Sequence, residues 1–423
     1  MYYFFYLPIG TEVRLRKTPL ATLALAGLNL ASFIVTLVLG RGSSFFMRLA
    51  FIPARFELHA LVTSSFLHAD IFHLSMNLLY LWIFGSVLED RMGRMRYLAA
   101  YLVCGVLATM AQAVATVSLL PQNAGIPIVG ASGAISGVMG LFLIRFYYAR
   151  IRVASLSMLF LQGIFRAAVS RMNAAGAMIL WILIQLVYGL ATSGNPLSAT
   201  AYWAHVSGFA MGLVLGLSGG LSSEALLEKK LLKGKRYFEK GKWFAAMGEL
   251  VEFLRARPEN AEARALLART FLLTGQRKKA VEEYSKAVAT ELTCGRDKAA
   301  IELYEEMKRI SGESSLPPSF QLLMAKCLEE KGRLGLAADA YAAFGTIHHE
   351  RGKAPASLLK AAQIYSLKLN NLERAADLCR RVRAAYPQTR WAAVARKKLA
   401  EIGRVAAKRN RTAAGGAASP VSR

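Results

Sequence analysis

Gly130-Ala131-Ser132-Gly133-Ala134-Ile135-Ser136-Gly137-Val138-Met139-Gly140 is the stretch that decides how this 423-residue chain is read. It opens a long apolar run, yet it sets a hydroxyl near the start of that run among residues too small to bury it. Small residues four apart, Gly133 with Gly137 and Ser136 with Gly140, let membrane helices approach closely, and packing alone would account for them. The alternative makes Ser132 a nucleophile at the N-terminus of a membrane helix. Unpaired backbone N–H groups and the positive end of the helix dipole would there face a developing oxyanion. A base at the same depth separates the two readings.

Composition changes partway along the chain. Residues 1–220 hold five acids, Glu12, Glu57, Asp70, Glu89 and Asp90, among runs of Leu, Val, Ala, Phe and Gly. From about Leu221 the sequence turns charged, Ala-rich and helix-patterned, so a membrane half precedes a soluble half. The net charge of +26 is shared by both halves and forms no single patch. No nucleic-acid recognition module is visible, and nucleic acid is not an expected partner. Basic residues beside a membrane instead face anionic lipid and set topology. The four cysteines (Cys104, Cys294, Cys327, Cys379) make no CxxC pair and no metal spacing. They read as free buried thiols, and no cofactor is expected.

Six apolar segments approach the roughly 20 residues that cross a bilayer. They are 20–39, 71–87, 97–119, 129–148, 174–191 and 199–217. Arg14, Arg16 and Lys17 precede the first, and Arg91, Arg94 and Arg96 separate the second from the third. Arg145, Arg150, Arg152, Arg166 and Arg171 separate the fourth from the fifth, whereas 119–128 and 192–198 carry no charge. This alternation puts both termini in the cytosol. Residues 153–165 are apolar but too short to span, and are expected to lie at the cytosolic interface.

The second, fourth and sixth segments then all start on the outer side. His73 and Asn77 fall in the first two turns of the second, Ser132 in the first turn of the fourth, and His205 early in the sixth. Intramembrane polar groups are costly and mark function, so their arrival at one depth carries the argument for a site. Glycines at 208, 212 and 216 would let the sixth segment pack against the fourth and bring His205 to Ser132. No acid lies near that depth in either segment, which favours a Ser–His dyad over a triad. His73 and Asn77, four apart, share a helix face and offer two donors suited to an oxyanion pocket, though interhelical packing explains either alone. Asp70 is placed either to cap this helix or to sit solvated in the loop, and His68 reads as structural support.

Gly130-Ala131-Ser132-Gly133, His73-Leu74-Ser75-Met76-Asn77 and Ala204-His205-Val206-Ser207-Gly208, with Glu89-Asp90-Arg91-Met92-Gly93 closing the second segment, together resemble the rhomboid intramembrane serine proteases. The resemblance covers about residues 55–218. It implies an all-α fold, a six-helix transmembrane bundle, with Ser132 as nucleophile, His205 as general base, and His73 and Asn77 in the oxyanion hole. It further implies transmembrane protein substrates cut in or near a membrane helix, without ATP or metal. A multi-pass protein of a bacterial inner membrane, its site opening outward, is expected. The first outer loop departs from the family, offering Phe51-Ile52-Pro53-Ala54-Arg55-Phe56 where many members show a Trp-Arg pair. Two rivals are an inactive rhomboid-like client-binding protein and a membrane-anchored repeat scaffold; a dead relative or a tether need not keep both reactive groups.

After residue 225 the chain reads as helix pairs separated by Gly, Asn or Pro. Gly241 and Gly275 lie one 34-residue period apart, as do Ala246 and Ala280, and similar turns are expected at Gly332 and Asn370. The pattern over 225–405 resembles degenerate tetratricopeptide repeats, whose stacked surface would bind a cytosolic protein or peptide. Residues 1–19 are read as a cytosolic N-terminal segment and 406–423 as a disordered basic tail.

Overall fold

The computed structural model describes residues 2–159, 164–191, 201–311 and 316–416. They form two compact units, Met1–Lys229 and Lys230–Arg423.

Among the described residues the first unit is built mainly on six apolar helices. They are α1 (Leu20–Leu39), α2 (Ile71–Met92), α3 (Arg94–Leu119), α4 (Ser132–Phe146), α5 (Ala174–Ala191) and α6 (Tyr202–Ser218). Among the described residues α1, α2, α3 and α5 have the length and apolarity to cross a bilayer alone. The other two are shorter than the sequence runs implied. Residues 129–131 and 147–148 stay outside the helix, so α4 has 15 residues, roughly 22 Å at ~1.5 Å per residue. Helix α6 reaches span length only together with α7 (Leu221–Glu239), from which it bends by 72°. The loop bearing 192–198 lies outside the described residues.

The two short helices pack backbone to backbone. A Cβ on Gly208 would land on the Gly133 carbonyl, and one on Gly212 on the Gly137 carbonyl. On the facing helix, a Cβ on Gly140 would meet the Phe209 carbonyl. In lipid, where apolar burial drives little helix association, such close approach supplies dispersion contacts that a larger side chain would prevent.

Buried charge at the far end of the bundle is matched. Glu89, 3% exposed, accepts from the N–H groups of Ala21 and Thr22 at 2.9 and 2.8 Å and from the Thr22 hydroxyl at 2.9 Å. It thereby caps α1 from the end of α2, a carboxylate at the positive end of a helix dipole. Arg145, in the last turn of α4, pairs with Glu228 of α7 at 2.5 Å and lies 3.6 Å from Glu224. Arg91 and Arg16 each lie 3.7 Å from the same Glu228, and Arg91 also pairs with Asp90.

A three-stranded antiparallel sheet, order β1-β2-β3, joins the same end of the unit. Strand β1 (Tyr2–Thr11) pairs with β2 (Arg150–Leu159), which pairs with β3 (Ile164–Asn173). The strands take in residues 153–159 and 164–165 of the short apolar segment and Tyr2–Thr11 of the N-terminal segment. Strict alternation at the start of β2 carries the reason: Ile151 and Val153 are buried while Arg150 and Arg152 are exposed, the period of a strand. Tyr2-Tyr3-Phe4-Phe5-Tyr6 is rich in residues that favour a pleated surface. The sheet is an addition to a predominantly helical fold.

The unusual first loop is tied down locally. Phe51, 1% exposed, exchanges backbone hydrogen bonds with Ile128 and takes the edge of the Phe56 ring at 5.8 Å. Thr63 Oγ1 donates to the Leu49 carbonyl at 2.7 Å.

The second unit is a tetratricopeptide-like helical repeat. From α7 it continues through α8 (Trp243–Ala256), α9 (Ala261–Leu273), α10 (Arg277–Thr293) and α11 (Asp297–Ser311). Helices α12 (Pro318–Glu330), α13 (Leu334–Ile347), α14 (Ala354–Leu367), α15 (Leu372–Ala385) and α16 (Arg390–Gly416) follow. One turn recurs five times. Gly241, Gly275, Gly295, Gly332 and Asn370 have φ of +70°, +77°, +67°, +73° and +58°, the left-handed position that ends a helix. Five residues after each stands a fully buried alanine: Ala246, Ala280, Ala300, Ala337 and Ala375. The alanine is small enough to let the next helix close against its neighbour. The Gly295 turn follows Gly275 after a single helix, which is why a 34-residue period does not reveal it. Cys327 and Cys379 are buried as expected, but Cys294 is exposed because it stands at that extra turn. Helix α16 continues to Gly416, into the segment read as a tail; residues 417–423 lie outside the described residues.

Candidate active site

Ser132 is the first residue of α4. The chain enters it through Gly130, whose φ of +124° suits glycine and whose Cβ, were there one, would lie 2.7 and 2.8 Å from Cε1 and Nε2 of His73. His205 stands in the first turn of α6. The glycine contacts between α4 and α6 bring the two side chains together, with Ser132 Oγ 2.9 Å from His205 Nε2. The other ring nitrogen, Nδ1, is 2.8 Å from Gln185 Oε1 on α5. Trp181, one turn earlier on α5, tilts its ring over the imidazole with centroids 6.0 Å apart.

Helix α2 delivers the other two residues. Asp70 caps it, accepting from the His73 N–H at 2.7 Å. The Ala69 N–H points to His73 Nδ1 at 3.5 Å, so in the neutral ring the proton belongs on Nε2, the atom beside Gly130. His68 is fully buried, with its ring edge-on to His73 at 5.1 Å. Asn77 is 7% exposed, and its Nδ2 donates to no group among the described residues.

Helix N-termini at this end differ in a telling way. Asp70 caps α2, and Gln112 of α3 accepts from the Ala204 N–H of α6 at 3.1 Å. Among the described residues no side chain caps helix α4, which leaves its first N–H groups to receive an acceptor beside the Ser132 hydroxyl.

His73, Asn77, Ser132 and His205, the four residues singled out in the sequence, line one cavity of about 1020 Å³, together with Gln112, Trp181 and Gln185. Sequence reasoning missed Gln112 and Gln185. Both are amides inside apolar runs, and the rule that flagged His73 and Asn77 applies to them equally. Among the described residues no cluster of three or more His, Cys, Asp or Glu is placed to hold a metal ion.

A family model described as the Rhomboid domain matches residues 55–221. Rhomboid-like protein 11, chloroplastic, of Arabidopsis thaliana is 31% identical over 158 residues, covering 36% of this chain and 50% of the relative. Rhomboid protein 1, mitochondrial, of Saccharomyces cerevisiae (strain ATCC 204508 / S288c) is 28% identical over 191 residues, 42% of this chain and 47% of the relative. Rhomboid protease GluP of Bacillus subtilis (strain 168) is 31% identical over 179 residues, 42% of this chain and 29% of the relative. The chain thus spans half or less of the length of these relatives. A solved structure described as YrrB, a TPR protein with an unusual peptide-binding site, covers 40% of this chain and 90% of its own at 15% identity, with a TM-score of 0.19. The repeat architecture rests on the recurring turns, not on that likeness. Over residues 55–221 the membrane unit is thus similar to rhomboid domains, and its apolar helices are those of a multi-pass membrane protein.

Proposed function

We propose that this chain is an intramembrane serine endopeptidase that cleaves transmembrane proteins in or near their membrane helix. The observation that carries the reading is the Ser132–His205 hydrogen bond, made inside a cavity at an uncapped helix start. Neutral His205 takes the Ser132 proton on Nε2 as Oγ attacks the scissile carbonyl. The oxyanion collects hydrogen bonds from the Ser132 N–H, Asn77 Nδ2 and His73 Nε2–H. Collapse of the adduct passes the proton from His205 to the leaving amine and leaves an acyl ester on Ser132. Water, deprotonated by the same imidazole, then releases the ester.

Helix α4 is roughly 8 Å shorter than the ~30 Å hydrocarbon core, so a C-terminal end held at one membrane surface sets Ser132 below the other. Arg16, Arg91 and Arg145 gather at that C-terminal end, which makes it the cytosolic side by the positive-inside rule. The site then opens to the outer side of a bacterial inner membrane. The protease occupies residues 20–220, and the repeat domain of 225–405 offers its stacked surface to a cytosolic protein or peptide. A reporter fused after residue 220 is expected to read as cytosolic.

The test is cleavage of a reconstituted transmembrane substrate without ATP or added metal. Wild type is expected to cut and folded Ser132→Ala to lose cutting entirely. Cutting that survives in Ser132→Ala refutes the mechanism. A folded wild type inert toward a broad substrate panel favours a client-binding role.

A further inference from the structure

We propose that Gln185 is a positioning residue that sets the tautomer and orientation of His205. The inference rests on the protease reading above. An imidazole can act as a base toward Ser132 only if Nε2 carries a lone pair, and in the neutral ring this requires the proton on Nδ1. Nδ1 faces the side-chain amide of Gln185, with Oε1 at 2.8 Å. An amide oxygen accepts and does not donate, so this contact holds the proton on Nδ1 and turns the Nε2 lone pair to the Ser132 hydroxyl 2.9 Å away.

Helix α5 supplies a second constraint. Trp181 lies one turn before Gln185, on the same face, and its ring tilts at 37° to the imidazole with centroids 6.0 Å apart. The same indole also meets Phe209 at 6.2 Å, one turn after His205 on α6. Both nitrogens and one face of His205 are therefore engaged, by α4 on one side and α5 on the other. Two side-chain torsions are fixed by three contacts.

An amide suits the setting better than a carboxylate does. A buried carboxylate below a membrane surface carries a desolvation cost of several kcal/mol that the amide avoids. What the amide gives up is charge: the imidazolium formed during attack is met by a dipole rather than an anion. Gln185 also lines the cavity, so a role in contacting substrate is the reading to exclude.

The experiment compares Gln185→Met, which keeps the length of the side chain and removes the acceptor, with Gln185→Glu, which can still accept. Both are assayed as full-length protein in detergent, with thermal melting to monitor folding; Gln185→Ala serves if the Met side chain prevents folding. Two readouts are taken: kcat and KM on a reconstituted transmembrane substrate, and the rate of Ser132 labelling by a fluorophosphonate. Gln185→Met is expected to lose about 10- to 100-fold in kcat with KM unchanged, the range seen when outer partners of functional histidines are removed. Labelling should slow in parallel, because the probe never occupies the remote substrate contacts, and Gln185→Glu should recover most of the loss. A rise in KM with kcat and labelling intact makes Gln185 a substrate contact and overturns the proposal. So does wild-type turnover in Gln185→Met, or an equal loss in the Met and Glu variants. A wild type that neither cuts nor labels instead removes the protease reading itself, before any variant is compared.

Discussion

The two ends of α4 carry two polar clusters built on opposite rules. At the Arg145 end cations meet anions: Arg16, Arg91 and Arg145 converge on Glu228, with Glu224, Asp90 and the Tyr148 hydroxyl beside them. At the Ser132 end the groups that meet are uncharged, Ser132, His205 and Gln185, and the donor of Asn77 is left over. The first arrangement is closed in charge, since a buried charge without its partner costs several kcal/mol. The second is open, with a cavity and an uncapped helix start facing the hydroxyl. Closure fastens one end of the helix, while openness at the other end leaves capacity for a reacting group. The glycine seam between α4 and α6 links the two ends.

Breaking the seam should have the largest effect. Gly212→Val drives a side chain into the Gly137 carbonyl, where only backbone can yield. Its cost should exceed the ~1–3 kcal/mol of ordinary overpacking, with cleavage and the thermal transition of the detergent-solubilised chain lost together. A folded, active Gly212→Val protein would show that the seam does not hold the site.

Next come changes confined to the open end. His205→Ala should approach the complete loss of Ser132→Ala, while Asn77→Ala should lower kcat by about 10²–10³, as a typical oxyanion donor does. Thermal melting should report both as folded. Equal losses in the two would argue that Asn77 packs helices rather than receiving charge.

The smallest effect on turnover belongs to the closed end. Burial pushes the Glu228 carboxyl up, but Arg145 and then Arg91 outweigh it and hold the group below its usual range. A carboxylate depressed in the folded state contributes stability above its unfolded pKa of about 4.3 and loses it as pH falls through the folded value. Glu228→Gln should therefore melt lower at pH 7, toward the lower end of the ~3–5 kcal/mol seen on breaking buried pairs, because Glu228 keeps 21% exposure. The gap to wild type should close in acid, with turnover of the folded protein unchanged at pH 7. A gap that persists once the folded-state Glu228 carboxyl is protonated would assign the loss to packing.

The open end was more legible in the sequence than the bundle's accessories were. His73, Asn77, Ser132 and His205 stood out because each is polar inside an apolar run, and the parity of the spans put them at one depth. Gln185 meets the same criterion, but its partner is not legible: α5 is apolar nearly all round, so its sequence does not announce which face meets α6. The partner of His205 follows from the rotation of α5, which only three dimensions fix. The sheet escaped for a different reason. Alternation in β2 shows clearly at Ile151 and Val153, and the strand it pairs with lies some 140 residues away at the N-terminus. In the repeat unit, turns at Gly241, Gly275, Gly332 and Asn370 were readable from period and residue type, whereas Gly295 fell off the period.

The most direct test of the open end is the site of covalent capture. Wild-type chain in detergent is treated with a serine-directed fluorophosphonate and the adduct is mapped by mass spectrometry. Modification is expected at Ser132 alone, and not at Ser136, whose hydroxyl donates to the Ser132 carbonyl at 2.7 Å. It should disappear in His205→Ala. An adduct at Ser136, or undiminished labelling of Ser132 without His205, would contradict an activated Ser132–His205 pair.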